Sequence, residues 1–477
     1  MNIGGAPRTD HRHRRIVVTA LCGLMVLVGG DALLAKHWKH AEPKAQPIQK
    51  IILMSIDALR ADRLGCYGYQ KAETSPTLDA WAPQAVLFEH AYAQAPWTIP
   101  SLGSLMSGRY AREVGAYTNS IGDIDSSVET LAERLRRAGY QTGFFNTNPI
   151  LLRPGVDRGF DLIAPPKTGS KIPYIAVEPQ VMEWLEKNAG NKFFLWIHDM
   201  DTHAPPTEGN PYRGQPGWNA YDAEVRWVDE ALRRLFAKLD ALGIRDQALF
   251  IFTADHGEAF DEHHMSGHQN VIYDEVLHVP LIVQYPGMVR AGRVAVPVRL
   301  LDANPTIAEL AGLPGQPGSR GKSVVPLMAS HWFSRPRHAE HPYIFSARYY
   351  FETDQIDATS GKVLTKRGTH QLAVHDRQWK LIAKVQGTQG PPERLYLQPD
   401  WDTSSTARTD YELYDLATDP LEQHDVFAAN SAVATRLQKA LAAFKLLTSD
   451  GPNNIRITID PAIHEAMHAL GYDSDLP

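Results

Sequence analysis

The stretch "ALFIFTADHGE", residues 248–258, joins seven uncharged residues to an Asp-His pair and a glycine. A continuous apolar run of this length predicts a strand buried on both faces, as parallel sheets require. Two other runs have the same form. "IILMSI", Ile51–Ile56, ends in Asp57, and "FFLWI", Phe193–Ile197, leads into His198, Asp199, Asp201 and His203. Between and around them lie patterns of helical period: "LDAWAPQAVLF" (78–88), "TLAERLRRAGY" (130–140) and "YDAEVRWVDEALRRLFAKLDALG" (221–243). Buried strands alternating with helices predict an α/β fold, its mainly parallel sheet sandwiched by helices. In such sheets the ligand crevice lies outside the carboxyl ends of the strands. One carboxylate after a strand is usually a helix cap, but here three runs deliver Asp or His at the same end.

Asp57, Asp255 and His256 form a hard O/N set suited to one divalent ion, Mn²⁺, Ca²⁺ or Zn²⁺. A second stretch, "APWTIPSLGSLMSG" (95–108), places Thr98 before a short helix. Pro100 suits the first helical turn and Gly108 the stop just past the end. Thr98 is either an ordinary cap or a nucleophile. A cation held by Asp57, Asp255 and His256 would also take the Thr98 hydroxyl and lower its pKa for attack. His203 and His268 are the candidates for holding the substrate's oxygens or protonating a leaving group. A lone histidine is more often a satisfied core or surface group, but "DHGE" directly after a strand is harder to dismiss.

The composition sets bounds. At 477 residues, 43% hydrophobic and 21% charged with a formal net charge of −6, the chain is an ordinary globular protein of more than one domain. No Lys/Arg block recurs in its body, which excludes a basic nucleic-acid binder. The two cysteines, Cys22 and Cys66, lie in an apolar N-terminal run and a turn-like "GCYGY", so no structural disulfide is expected. Arg8, Arg12, Arg14 and Arg15 precede "IVVTALCGLMVLVGG", the form of a secretory signal (1–35). With "DALLA" added the run equally suits an uncleaved signal anchor. Both readings make the chain exported, to the periplasm or the extracellular space, with membrane anchoring in the second case. Residues 36–48 read as a linker, 49–330 as the catalytic domain and 331–477 as a smaller C-terminal α+β subdomain. Its segments "HPYIFSARYYF", "HQLAVHDRQWKLIAKV" and "ERLYLQ" alternate like half-buried antiparallel strands, and "SAVATRLQKALAAFKLL" reads as a packing helix. "ATDPLEQ" reads as a turn and helix start. "HEAMH", 464–468, matches a zinc-protease pattern, but Ile463, Met467 and Leu470 form an apolar stripe that docks a terminal helix instead.

Taken together, "SIDALRADRLGCYGY", "SPTLDAWAPQAVLFEHAYAQAPWTIPSLGSLMSG", "HDMDTHAPP", "TADHGEAFDEH", "GHQNVIYDEVLHVPLIV" and "RQWKLI…YELYDLATDPLEQHDV" resemble the sulfatase family of the alkaline phosphatase superfamily. The resemblance runs in order over roughly residues 49–473. It implies an alkaline-phosphatase-like core and a metal-dependent hydrolase of sulfate or phosphate esters on a glycan, lipid or small molecule. By resemblance Thr98 falls on the nucleophile position, and Asp57, Thr98, Asp255 and His256 on metal-ligand positions. His203 and His268 fall on catalytic and substrate-contact positions, Asn146 joins the substrate-binding set, and His198 and Asp201 lie near enough to serve beside the metal or at a second one. Two departures stand out. Sulfatases oxidise Cys or Ser to formylglycine, whereas the secondary Cβ of threonine would give a ketone; the Arg that normally follows is Leu102. The Lys-bearing segment is replaced by "TGFFNTN", with Asn146 and Asn148. Phosphoryl esters are therefore expected to be favoured. The alternatives are a phosphoethanolamine-type transferase to a lipid or glycan hydroxyl, and an inactive binding protein of sulfatase fold. Substrate choice is assigned to loops 205–220 and 383–410.

Overall fold

The computed structural model describes residues 47–447, apart from 120–122, 153–154, 165–170, 286, 288, 329–340, 357–362 and 391–407. The N-terminal run, the "ERLYLQ" segment, "HEAMH" and the expected boundary at 330/331 lie outside the described residues. The fold belongs to the unit Ile48–Pro477. Among the described residues no helix is long and apolar enough to cross a membrane.

The main sheet has nine strands: β1 (Lys50–Ile56), β2 (Val86–Tyr92), β3 (Gln141–Asn146), β4 (Leu162–Ala164), β5 (Phe193–Asp199), β6 (Ala248–Ala254), β9 (His278–Gln284), β10 (Gly292–Val294) and β11 (Val298–Arg299). A two-residue hairpin, β7 (Ala259–Phe260) and β8 (Ser266–Gly267), lies between β6 and β9. The order is β10-β2-β9-β6-β1-β5-β3-β4, with β11 also on β2. β1, β3, β4, β5 and β6 run parallel, and β9 is antiparallel to both its neighbours, β2 and β6. The predicted runs are the three central strands, every residue of them buried. β5 runs two residues beyond its apolar stretch, carrying His198 and Asp199 into the sheet.

Seven helices matter to the fold: α1 (Pro76–Trp81), α2 (Thr98–Ser107), α3 (Leu131–Arg137), α4 (Tyr174–Asn188), α5 (Ala220–Ala241), α6 (Ala303–Leu310) and α7 (Ser431–Leu447). α3 has a complete capping box, with the Thr130 hydroxyl and the Glu133 carboxylate each taking the other's backbone N–H. The pattern at 78–88 is not one helix. α1 ends at Trp81, a 3₁₀ turn carries Pro83, and Val86-Leu87-Phe88 opens β2. Pro83 removes a helical donor, and the apolar triplet behind it pairs with β9 instead. The linker expected over 36–48 ends short of Ile48, which is buried and donates its N–H to the Leu310 carbonyl.

The C-terminal strands form a separate antiparallel sheet, β12 (Ile344–Ile356), β13 (Val363–His375), β14 (Trp379–Gly390) and β15 (Arg408–Asp415), in sequential order. α7 packs on it through Ala434, Leu437, Leu441 and Phe444. Part of 383–410, expected as a substrate loop, is therefore sheet: β14 reaches Gly390 and β15 starts at Arg408. No helix starts at "ATDPLEQ"; a 3₁₀ turn at Phe427–Ala429 follows it, and the next α-helix is α7.

Candidate active site

Sheet register builds the site. Ile56 lies opposite Asp199 on one side and Ala254 on the other, so Asp57 and Asp255 leave adjacent strands side by side. Asp57 keeps the ladder going for one more residue, its N–H bonding the Asp199 carbonyl at 2.8 Å. The next residue, Ala58, has φ 58°, a left-handed conformation rare outside glycine. This turn aims the Ala58 N–H at Asp255 Oδ1 (3.2 Å), which also accepts the His256 N–H at 2.8 Å. Asp255 Oδ2 is left with no partner, and so is Asp57 Oδ1.

Those two bare oxygens face the same nitrogen. His256 Nε2 lies 3.6 Å from Asp57 Oδ1 and 3.5 Å from Asp255 Oδ2. His256 Nδ1 is 2.9 Å from the Gly257 carbonyl, which can only accept, so Nδ1 carries the proton and Nε2 a lone pair. Burial also drives the His256 pKa down to about 3, keeping the ring neutral. Three lone-pair donors thus converge in a buried place. Burial, and then the negative charge of Asp57, push the Asp255 carboxyl well above the ordinary range. Burial works the same way on Asp57, but His203 and the hydrogen bond from His198 outweigh it and hold that carboxyl well below the range. A divalent cation among Asp57, Asp255 and His256 would relieve the convergence, so the residues fit such an ion. His198 Nε2 is also near, 3.4 Å from Asp57 Oδ2, and Asp57, His198 and Asp255 offer donor atoms within 4.8 Å of one another.

Thr98 is the first residue of α2. Its hydroxyl makes no cap; it lies 3.3 Å from His256 Nε2. The neighbouring Ile99 N–H is taken by Asn119 Oδ1 at 2.9 Å. Ser101 ties the same turn to the strand end, donating to the Asp255 carbonyl at 2.6 Å. The His268 ring lies 4.2 Å from that of His256 and 5.1 Å from that of His203. Burial lowers both of these substrate-side histidines, His268 to about 4. The structure therefore brings Asp57, Thr98, His198, His203, Asp255, His256 and His268 together.

Two expected residues go elsewhere. The Asn146 side chain closes on its own turn, donating to the Asn148 carbonyl at 2.6 Å and accepting the Asn148 N–H at 2.8 Å. Asn148 is the one that reaches the site, its Nδ2 donating to Asp57 Oδ2 at 2.6 Å. Asp201 caps α4, both carboxylate oxygens accepting the Tyr174 N–H at 3.2–3.3 Å, and holds no place beside the bare oxygens. Other residues are additions. Glu258 is buried and lies 3.2 Å from His268 Nδ1, orienting that ring. Lys171 donates to the carbonyls of Asp201, His203 and Pro205, bracing the segment that carries His203. Glu258 sits in the quoted "DHGE" and was within reach of a reading that asked what orients His268; Lys171 has no motif.

The sulfatase family profile matches residues 49–313, more than half of the chain. The chain is 25% identical to an ulvan-active sulfatase of Formosa agariphila over 367 residues, covering 65% of this chain and 71% of that protein. Its fold is similar to that of BT4656, solved in complex with its substrate D-glucosamine-2-N,6-O-disulfate (TM-score 0.64, 18% identity, 86% of this chain and 99% of that one). It is also similar to the phosphonate monoester hydrolase of Agrobacterium radiobacter (TM-score 0.63, 20% identity, 86% and 96%). With that profile matching more than half of its length, the chain belongs to the sulfatase family.

Proposed function

We propose that this sulfatase-family chain is an exported hydrolase of sulfuric or phosphoric esters that uses Thr98 as its nucleophile and favours phosphoryl substrates. The observation that carries the reading is the Thr98 hydroxyl, buried, unused as a helix cap and 3.3 Å from His256 Nε2 beside two bare carboxylate oxygens. A divalent cation held by Asp57, Asp255 and His256 would supply the positive charge that favours the Thr98 alkoxide and an anionic substrate. Thr98 Oγ forms a bond to phosphorus as the bond to the leaving oxygen breaks. The proton that Thr98 gives up is taken by His268, oriented by Glu258, or by His203, neutral rings that can hold it and hand it on to that leaving oxygen. Water then attacks the phosphothreonine at the same phosphorus and restores the hydroxyl. A sulfothreonine has no such ready exit, since Cβ bears only one oxygen and cannot collapse to an aldehyde. The phosphonate monoester hydrolase among the structural neighbours supports phosphorus chemistry on this fold. The solved complex with a sulfated glucosamine supports a glycan as the carrier of the ester.

The test is turnover of aryl phosphate monoesters, aryl phosphodiesters and aryl sulfates by the wild type, Thr98→Ser and Thr98→Ala. Serine should keep activity within about tenfold, and alanine should lose about 10³-fold or more on every substrate. Phosphoryl esters should turn over faster than sulfates. Sulfate turnover exceeding phosphate turnover would overturn the preference, and an active alanine variant would overturn the nucleophile.

A further inference from the structure

Behind Asp57 runs a chain of buried polar groups with no place in the steps above. Trp196 and His198 are two residues apart on β5, so their side chains share one face of the sheet. The β1–β5 register sets Ser55 opposite His198, on that same face. Trp196 Nε1 lies 2.8 Å from Ser55 Oγ, Ser55 Oγ lies 2.8 Å from His198 Nδ1, and His198 Nε2 lies 3.4 Å from Asp57 Oδ2. Ser55, His198 and Asp57 have no solvent exposure.

Counting protons gives this chain a direction. The indole N–H can only donate, so Ser55 Oγ accepts from Trp196. Among the described residues the remaining partner of the Ser55 hydroxyl is His198 Nδ1, so the hydroxyl proton goes there. Nδ1 is then an acceptor, and Nε2 of the neutral ring carries the hydrogen that reaches Asp57. The opposite tautomer would strand the buried Ser55 hydrogen. It would also set the Nε2 lone pair against a carboxylate oxygen, two penalties at once. Asn148 donates to the same Oδ2 at 2.6 Å, so Asp57 receives two hydrogens on one oxygen and none on the other.

We propose that His198 is a positioning residue and not a metal ligand: the Trp196–Ser55 relay fixes it as a hydrogen-bond donor to Asp57 Oδ2, which reserves Oδ1 for a cation. The inference rests on the reading that Asp57, Asp255 and His256 hold that cation. It separates His198 from the other members of a cluster that proximity alone would make a single ligand set. The relay serves as a lock on ring orientation, of the kind metal sites use one step away from the ion.

The experiment is ¹⁵N–¹H correlation of ¹⁵N-histidine-labelled protein with and without Zn²⁺, together with Zn²⁺ titration calorimetry of His198→Gln and His198→Leu. His198 lines are assigned by their loss in His198→Gln, or by the Nδ1 shift in Ser55→Ala should the first variant not fold. The expected result is a protonated Nε2 and an unprotonated Nδ1 in both forms of the protein. Glutamine, whose amide can donate the same hydrogen bond, should bind Zn²⁺ nearly as well as wild type, and leucine about 10- to 100-fold more weakly. Loss of the Nε2 proton on loading, or equal losses for glutamine and leucine, would overturn the proposal. Wild type that binds no Zn²⁺ removes the cation reading, while the spectrum of the metal-free protein still decides the direction of the relay: a protonated Nδ1 there overturns it.

Discussion

At the residue scale the site follows from which oxygen of each carboxylate is left bare. Asp255 Oδ1 is consumed by two backbone N–H groups and Asp57 Oδ2 by Asn148 and His198, so one oxygen from each remains for a ligand. Asp255→Ala therefore removes a ligand and a charge together. It should lower metal affinity by more than the roughly 10- to 100-fold that follows loss of a group one step from a metal. Chelation of the wild type should abolish turnover in parallel, and metal analysis beside an ester assay checks both; full activity in metal-free protein would exclude the cation. Asp57, Asp255 and His256 were legible because an apolar strand has nothing polar to offer until it ends, so the first Asp or His stands out. Asn148 was not. Both Asn146 and Asn148 stand in "TGFFNTN", but nothing in the sequence separates the strand's last residue, Asn146, from Asn148 in the turn beyond, whose side chain is the one that reaches Asp57. The Ser55–His198 pair was hidden for another reason. It exists only through a register between strands more than a hundred residues apart, and a polar residue inside an apolar run carries no sign of its partner.

At the scale of elements, the turns after the strands do the placing. Gly257 follows His256, and a Cβ there would come within 2.2 Å of the Glu275 carbonyl, a backbone atom that cannot swing away. Its N–H bonds the Val276 carbonyl at 2.9 Å, so the turn is pinned from both sides. Gly257→Ala should cost about 1–3 kcal/mol and shift the His256 ring. Thermal melts and Zn²⁺ titration should register both effects, and an unchanged metal affinity would show that the close approach does not position His256. A second element is held by charge. Asp302, at the start of α6, is 2.8 Å from Arg299 Nη2 and takes the Arg299 and Lys322 N–H groups. Burial opposes its ionisation, but Arg299 prevails and brings its pKa from 3.8 down to about 2. A folded pKa below the unfolded one gives stability that is full above about pH 4 and lost as pH falls toward 2, about 2 kcal/mol in all. Asp302→Asn should flatten that acid limb and lower Tm at neutral pH, because Arg299 stays buried without its carboxylate. Melts across this pH range with an unaltered acid limb would place the loss elsewhere. The helical reading of 78–88 failed at this same scale: an apolar triplet after Pro83 fits a strand or a helix until a partner strand is known.

At the scale of the whole molecule, the C-terminal sheet does more than add bulk. Runs of alternation made its strands legible, but which loop of the catalytic domain they touch depends on packing that alternation does not record. Arg348 on β12 is buried; its Nε donates to the Gln269 carbonyl and its Nη2 to Asn270 Oδ1 at 2.6 Å. Trp97, next to Thr98, donates to the same Gln269 carbonyl at 3.3 Å, and Gln371 on β13 donates to the Asn270 carbonyl at 3.0 Å. Residues 269–270 directly follow His268. The segment that carries one substrate-side histidine is thus clasped between the turn of the nucleophile and a sheet formed some eighty residues later in the chain. Arg348→Met keeps much of the side chain's volume and removes the hydrogen bonds. The ligand atoms of Asp57, Asp255 and His256 are held by other elements, so metal affinity should stay at the wild-type level. With His268 free to drift, kcat should fall about 10- to 100-fold, the scale expected of a misplacement near 1 Å. KM should change little. Steady-state kinetics with metal titration on the one variant separates the outcomes. An equal loss of metal binding and kcat would mean that Arg348 supports the site as a whole, and unchanged kcat would mean that β12 merely packs against it.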